Sequence, residues 1–130
     1  NSRPLLSQEI AARLLSPFAK ASDFQTRLAM SLHKLSPQEI QEALPSLPHW
    51  HFNEPLNCIS REFIWPNFVQ AFAFMTQIAE LAEQHQHHPE WRNVYNKVAI
   101  SWTTHDVGGL SHKDLLMAQL CDDLLIDKHA

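Results

Sequence analysis

Nine histidines occur in this chain of 130 residues. Four of them, His85, His87, His88 and His105, are spaced so that one turn can gather them. Imidazole is the side chain whose ordinary pKa lies near neutrality, so a gathered set can give and take protons at a reacting bond. His105 lies 17 residues beyond His88. Were that stretch a single strand, its ends would stand roughly 55 Å apart and could share no site. Its midpoint, however, is Asn96, a residue type favoured in tight turns. A hairpin turning there pairs Glu90–Val94 with Val98–Trp102 and returns His87 and His88 beside Thr104 and His105. On the residues alone three readings stay open. The histidines are solvated loop residues; or His85, His87 and His105 hold zinc with water as the fourth ligand; or they perform acid–base chemistry without a metal. Adjacent His87 and His88 point to opposite faces of a strand, and no Cys or carboxylate has ligand spacing, which counts against zinc.

The elements that must position these residues follow from periodicity and punctuation. Ser36-Pro37-Gln38-Glu39 combines an N-cap, a Pro at the first helical position and a capping-box Glu, and Pro45 and Pro48 stop that helix near Leu44. Trp50–Phe52 reads as a short strand and Asn57–Ile64 as a second, with Ile59, Arg61 and Phe63 on one side. Asn67 caps a helix from Phe68 to about Gln84, whose stripe is Phe68, Phe72, Met75, Ile78, Ala79 and Ala82, widened by Phe74 and Leu81. After the hairpin and Gly108-Gly109, Ser111 and Asp114 form a second capping box. It opens a helix with Leu116, Leu120 and Leu124 in line. Residues 1–34 carry five basic residues and two acids. They read either as an extra helical segment or as a faint transit-peptide pattern. Ile10, Leu14 and Leu15 share one helical face, and Phe24, Leu28 and Leu32 another.

Composition excludes several functions. A net charge of −4 gives no basic footprint for direct nucleic-acid or anionic-lipid binding. Apolar stretches fall far short of the ~20 residues a membrane-spanning helix needs. Two glycines leave no room for a glycine-rich phosphate cradle. Cys58 and Cys121 fit no zinc or redox spacing, and so few cysteines suit a reducing compartment. The cytoplasm is the expected location, with an organelle the alternative that the N-terminal extension carries.

The run Gln86–Asp114, QHHPEWRNVYNKVAISWTTHDVGGLSHKD, resembles the signature of the pterin-4a-carbinolamine dehydratases. The matching positions are His87-His88-Pro89, Tyr95, Val98, Thr104-His105, Gly109-Leu110 and Asp114. The likeness extends back through the helix AFAFMTQIAELAE and more weakly to about Leu35. It divides the chain into an extension, 1–34, and a dehydratase-like domain, 35–130. Gln86 departs from the animal enzymes, which carry an acid there; Glu83 keeps the acid found near the helix end.

The resemblance implies an α+β fold, a four-stranded antiparallel sheet with helices packed on one face, here with an N-terminal helical extension. It implies loss of water from a 4a-hydroxytetrahydropterin to give the quinonoid dihydropterin, in recycling of the pterin used by aromatic amino-acid hydroxylases. The implied catalytic set is His87, His88, His105 and Asp114. Within it His87 and His105 act as acid and base, His88 serves mainly to position the substrate, and Asp114 is divided between catalytic support and its capping role. The same three histidines, with Gln86, Thr103, Thr104 and Asp106, are implied to contact the pterin. Trp91 and Trp102 read as core residues, with a wall for the ring as the alternative. His33, His49, His51, His85, His112 and His129 receive no role. No organic cofactor and no metal are implied. The implied partners are the pterin substrate and further copies of the chain, a homodimer by sheet extension or a homotetramer through helices. Residues 1–34 offer a surface for another protein. The competing implication is a binding module, since related proteins serve as a dimerisation cofactor of a homeodomain transcription factor or as assembly factors.

Overall fold

A computed structural model describes residues 32–129 of the chain. The helices expected within residues 1–31 lie outside the described residues. A compact unit begins at His33. Its first helix, α1 (Pro37–Ala43), starts on the expected capping box: Glu39 N–H donates to Ser36 Oγ at 3.1 Å, and Ser36 N–H donates to Glu39 Oε1 at 2.9 Å. Pro45 turns the chain into a 3₁₀ turn, Leu44–Ser46. Strands β1 (His51–Asn53) and β2 (Cys58–Ile64) follow, then α2 (Phe68–His85), β3 (Glu90–Val94), β4 (Lys97–Trp102), a 3₁₀ turn at His105–Val107, and α3 (His112–His129).

The four strands form one sheet in the order β1-β2-β4-β3, antiparallel throughout. Alternation delivers Ile59, Arg61 and Phe63 of β2 to the same face as their partners Trp102, Ile100 and Val98 of β4. Helices α2 and α3 cover β4, burying Ile59, Phe63, Val98, Ile100 and Trp102 against Phe74, Ile78, Met117 and Cys121. Phe74 meets the rings of Phe63 and Trp65 at 4.8 and 4.9 Å between centroids. Arg61, on the apolar face, donates from Nη1 to Asp122 Oδ1 at 2.7 Å and lies over the Phe63 ring. The Trp50 indole N–H donates to the same carboxylate, so α3 is tied to β2 and to the residue that leads into β1.

Four expectations need correction. The hairpin turns between Tyr95 and Asn96, not on Asn96: Val94 pairs with Lys97 and Asn93 with Val98. Tyr95 takes the left-handed conformation, φ 52°, and the Asn93 amide donates to both Tyr95 O and Lys97 O. Asn96 is instead used to anchor the turn, donating from Nδ2 to Trp65 O at 2.8 Å.

The inward face of α2 is Ala71, Phe74, Ile78 and Ala82, while Phe68 and Phe72 are 46% and 56% exposed. Apolar residues surround more than one face of this helix, so periodicity alone did not fix its rotation; the Phe63 and Trp65 rings do. On α3 the buried line is Asp114, Met117, Ala118 and Cys121; of the expected Leu116, Leu120 and Leu124, Leu120 is buried and the other two are only half-buried. Asp114 itself points inward, and that sets the helix's phase. Trp91, on edge strand β3, is likewise part-exposed rather than core.

Candidate active site

Asp114 is fully buried and lies at the open end of the β3–β4 hairpin. Its Oδ1 accepts a hydrogen bond from His87 Nε2–H at 2.6 Å. Its Oδ2 accepts from Thr104 Oγ1–H at 2.7 Å and from Ser111 N–H at 2.9 Å. With its own proton given to Asp114, Thr104 Oγ1 accepts from the Ser111 hydroxyl at 2.7 Å. Three donors on one buried carboxylate leave little freedom in any partner. The capping-box expectation is half met: Ser111 N–H does reach the Asp114 carboxylate, but the Ser111 hydroxyl accepts Lys113 N–H instead of Asp114 N–H. Asp114 thus opens α3 and holds His87.

The local chain explains how His87 arrives there. Helix α2 ends at Gln86, which adopts the left-handed conformation at φ 51° and gives its amide N–H to Ala82 O. His87 N–H also donates to Ala82 O, at 3.0 Å. These bonds close the helix end and reverse the chain toward β3. Continuing the hairpin register outward sets His87 opposite Thr104, and Asp114 joins the two. The His87 ring stacks on Trp102, with centroids 5.7 Å apart and planes at 19°. With Nε2–H committed to Asp114, the neutral form of the ring has its lone pair on Nδ1.

The other two implied catalytic histidines stand outside this buried network. His88 is exposed and shares a 2.6 Å hydrogen bond with Glu83 Oε2 of α2. His105 is 80% exposed at its side chain and bonds Glu90 Oε2 at 3.2 Å, spanning the hairpin mouth. Each imidazole is thus paired with its own carboxylate: His87 with Asp114, His88 with Glu83, His105 with Glu90. Thr103 donates from Oγ1 to Asn57 O at 2.7 Å. Thr104 pairs by backbone with Gly109, which encloses the His105–Val107 turn, with Asp106 exposed in it. The Gln86 amide is turned back onto Glu83 O at 2.8 Å.

His85, His87 and His105 do not form a ligand cluster. His87 is bound to Asp114 and His105 to Glu90, and half-buried His85 is held below the ordinary imidazole pKa by burial and by nearby Lys113. The sequence reading missed Ser111 as a link in the network, Trp102 as the plate under His87, and Glu90 as the partner of His105. Glu90 was within reach of it, because hairpin register carries Glu90 to Ser101 and so toward His105.

Residues 33–124 match the family described as Pterin 4 alpha carbinolamine dehydratase. A Rhizorhabdus wittichii protein named "Putative pterin-4-alpha-carbinolamine dehydratase" is 50% identical over 95 residues, covering 73% of this chain and 98% of that protein. A Burkholderia ambifaria protein of the same name is 45% identical over 91 residues, 70% of this chain and 89% of its own. Among solved structures, a "transcriptional coactivator/pterin dehydratase" from Brucella melitensis superposes with a TM-score of 0.68 at 37% identity, covering 70% of this chain and 97% of that one.

Proposed function

We propose, for a chain that belongs to the pterin-4-alpha-carbinolamine dehydratase family, that it removes water from a 4a-hydroxytetrahydropterin by histidine acid–base catalysis. The observation that carries this reading is the buried Asp114–His87 pair at the mouth flanked by His88 and His105. Hydroxide is a poor leaving group, so the 4a oxygen must receive a proton as its bond to carbon breaks. A ring N–H must then give up a proton to leave the quinonoid dihydropterin. One imidazole of the His87–His105 pair supplies the first proton and the other accepts the second, and water is the only other product. In this reading Nδ1 of His87, the ring nitrogen not bonded to Asp114, carries the proton transfer. His88, with Glu83 behind it, positions the pterin edge; Gln86, Thr103, Thr104 and Asp106 complete its polar surroundings. Stopped-flow dehydration of a synthetic 4a-hydroxytetrahydropterin tests the reading. Wild-type rates well above the uncatalysed rate are expected, and rates equal to it would defeat the reading.

Self-association belongs to the same proposal. β1 and β3 are edge strands with open backbone groups, and Phe68, Val69 and Phe72 expose an apolar patch on α2. The name of the Brucella melitensis neighbour also includes a coactivator role, and the same helix face favours a second reading in which this chain binds another protein. Sedimentation at several concentrations, alone and with a candidate partner, separates the two uses of that face.

A further inference from the structure

His33 and Glu39, from the stretch that enters α1, meet His112 of α3 at the surface of the unit that begins at His33. One ligand atom from each lies within 4.8 Å of the other two. Among the described residues this is the only group of three or more His, Cys, Asp or Glu side chains so disposed. By sequence His33 and His112 carry no role, and no metal is implied.

The backbone fixes this meeting. Leu35 N–H donates to Leu110 O at 2.7 Å, so the segment carrying His33 runs beside the one that leads into His112. Glu39 is oriented by the α1 capping box. Its Oε1 accepts Ser36 N–H at 2.9 Å, which turns Oε2 toward His33 Nε2 at 3.5 Å. The rings of His33 and His112 meet edge to face at 5.9 Å between centroids.

Two ligands on a tetrahedral zinc ion, each 2.0–2.1 Å from the metal, stand roughly 3.4 Å apart. The His33–Glu39 pair already has about that separation. His112, exposed at the first turn of α3, brings a ring nitrogen within 4.8 Å of both of these ligand atoms. Two imidazoles and one carboxylate, with a position left for water, suit zinc. We propose that His33, Glu39 and His112 form a zinc site, separate from the hairpin-mouth histidines, that clamps the segment before α1 onto the start of α3.

The test uses the full chain, stripped with dipicolinate and dialysed. Zinc is titrated against a chromogenic chelator, with cobalt as the spectroscopic probe. The expected result is one zinc per chain and a visible tetrahedral cobalt spectrum. His33→Gln, His112→Gln and Glu39→Gln should each weaken zinc binding by at least about 10–100-fold, the scale on which even outer partners of a metal site matter. Glu39→Gln is the most telling variant, because Gln still completes the capping box and the fold is kept. A His49→Gln/His51→Gln control should bind zinc like the wild type. Thermal melts confirm that each variant is folded. Failure to bind zinc stoichiometrically would overturn the site and leave a His33–Glu39 ion pair in its place. Undiminished binding in a folded His33→Gln/His112→Gln double variant would overturn it too, by locating the zinc at other histidines.

Discussion

Asp114 accepts hydrogen bonds from His87, Thr104 and Ser111, so substitutions around it should register in both rate and stability. His87→Ala and His105→Ala should each lower turnover about 10²–10⁴-fold, and the double variant should cost less than their product, since acid and base serve one elimination. Stability should separate the two. His87→Ala leaves Asp114 Oδ1 buried without its donor, a loss of about 1–3 kcal/mol in urea unfolding. His105, whose side chain is 80% exposed, should leave the unfolding midpoint unchanged. Equal destabilisation by both would contradict the buried-network geometry.

Cys121 makes a second residue-scale prediction. Burial pushes its thiol from 9.0 up to about 12. The folded pKa lies above the unfolded one, so the contribution to stability is complete below about pH 9 and is lost as pH rises toward 12. Over that window wild-type stability should fall about 1.4 kcal/mol per pH unit more steeply than that of Cys121→Ala. Parallel profiles would show that the thiol ionises freely.

At the scale of elements, α2 offers a paired test. Phe74 is fully buried between Phe63 and Trp65, and Phe74→Ala should cost about 3–5 kcal/mol. Phe72, one face away and 56% exposed, should cost no more than about 0.5 kcal/mol of monomer stability when changed to Ser. Its effect should appear in sedimentation as weakened self-association. The stripe reading put Phe72 inside and Phe74 at the margin. Both lie in one long apolar helix, and only contact with the sheet distinguishes them. The hairpin shows the same limit. Spacing brought the right segments together, but the turn was misplaced by one residue because Asn96 is used to hold Trp65 and Tyr95 takes the left-handed position.

At the scale of the whole molecule, the proposed reaction and the proposed zinc site make separable predictions. Exhaustive chelation should release zinc yet leave dehydration intact, because imidazole acid–base chemistry needs no Lewis acid. Activity lost to chelator and restored by zinc would merge the two sites. Deleting residues 1–31 should likewise leave turnover unchanged, since the network from Gln86 to Asp114 is built from later residues. A truncated chain that folds but no longer dehydrates substrate would place the extension in the active site.

Local chemistry, read from the sequence, determined where elements start and stop: Ser36, Pro37 and Glu39 as a helix start, Asn67 as a cap, the strand alternation of Ile59, Arg61 and Phe63. These signals act within a few residues, so they survive without knowledge of the fold. The motif from His87 to Asp114 likewise identified the family. Tertiary structure alone decided which ionisable groups meet. Asp114 faces inward because His87 and Thr104, 27 and 10 residues away, converge on it. His33 meets His112 because Leu35 pairs with Leu110. Such pairings depend on helix rotation and strand register, and those are set by packing between segments distant along the chain.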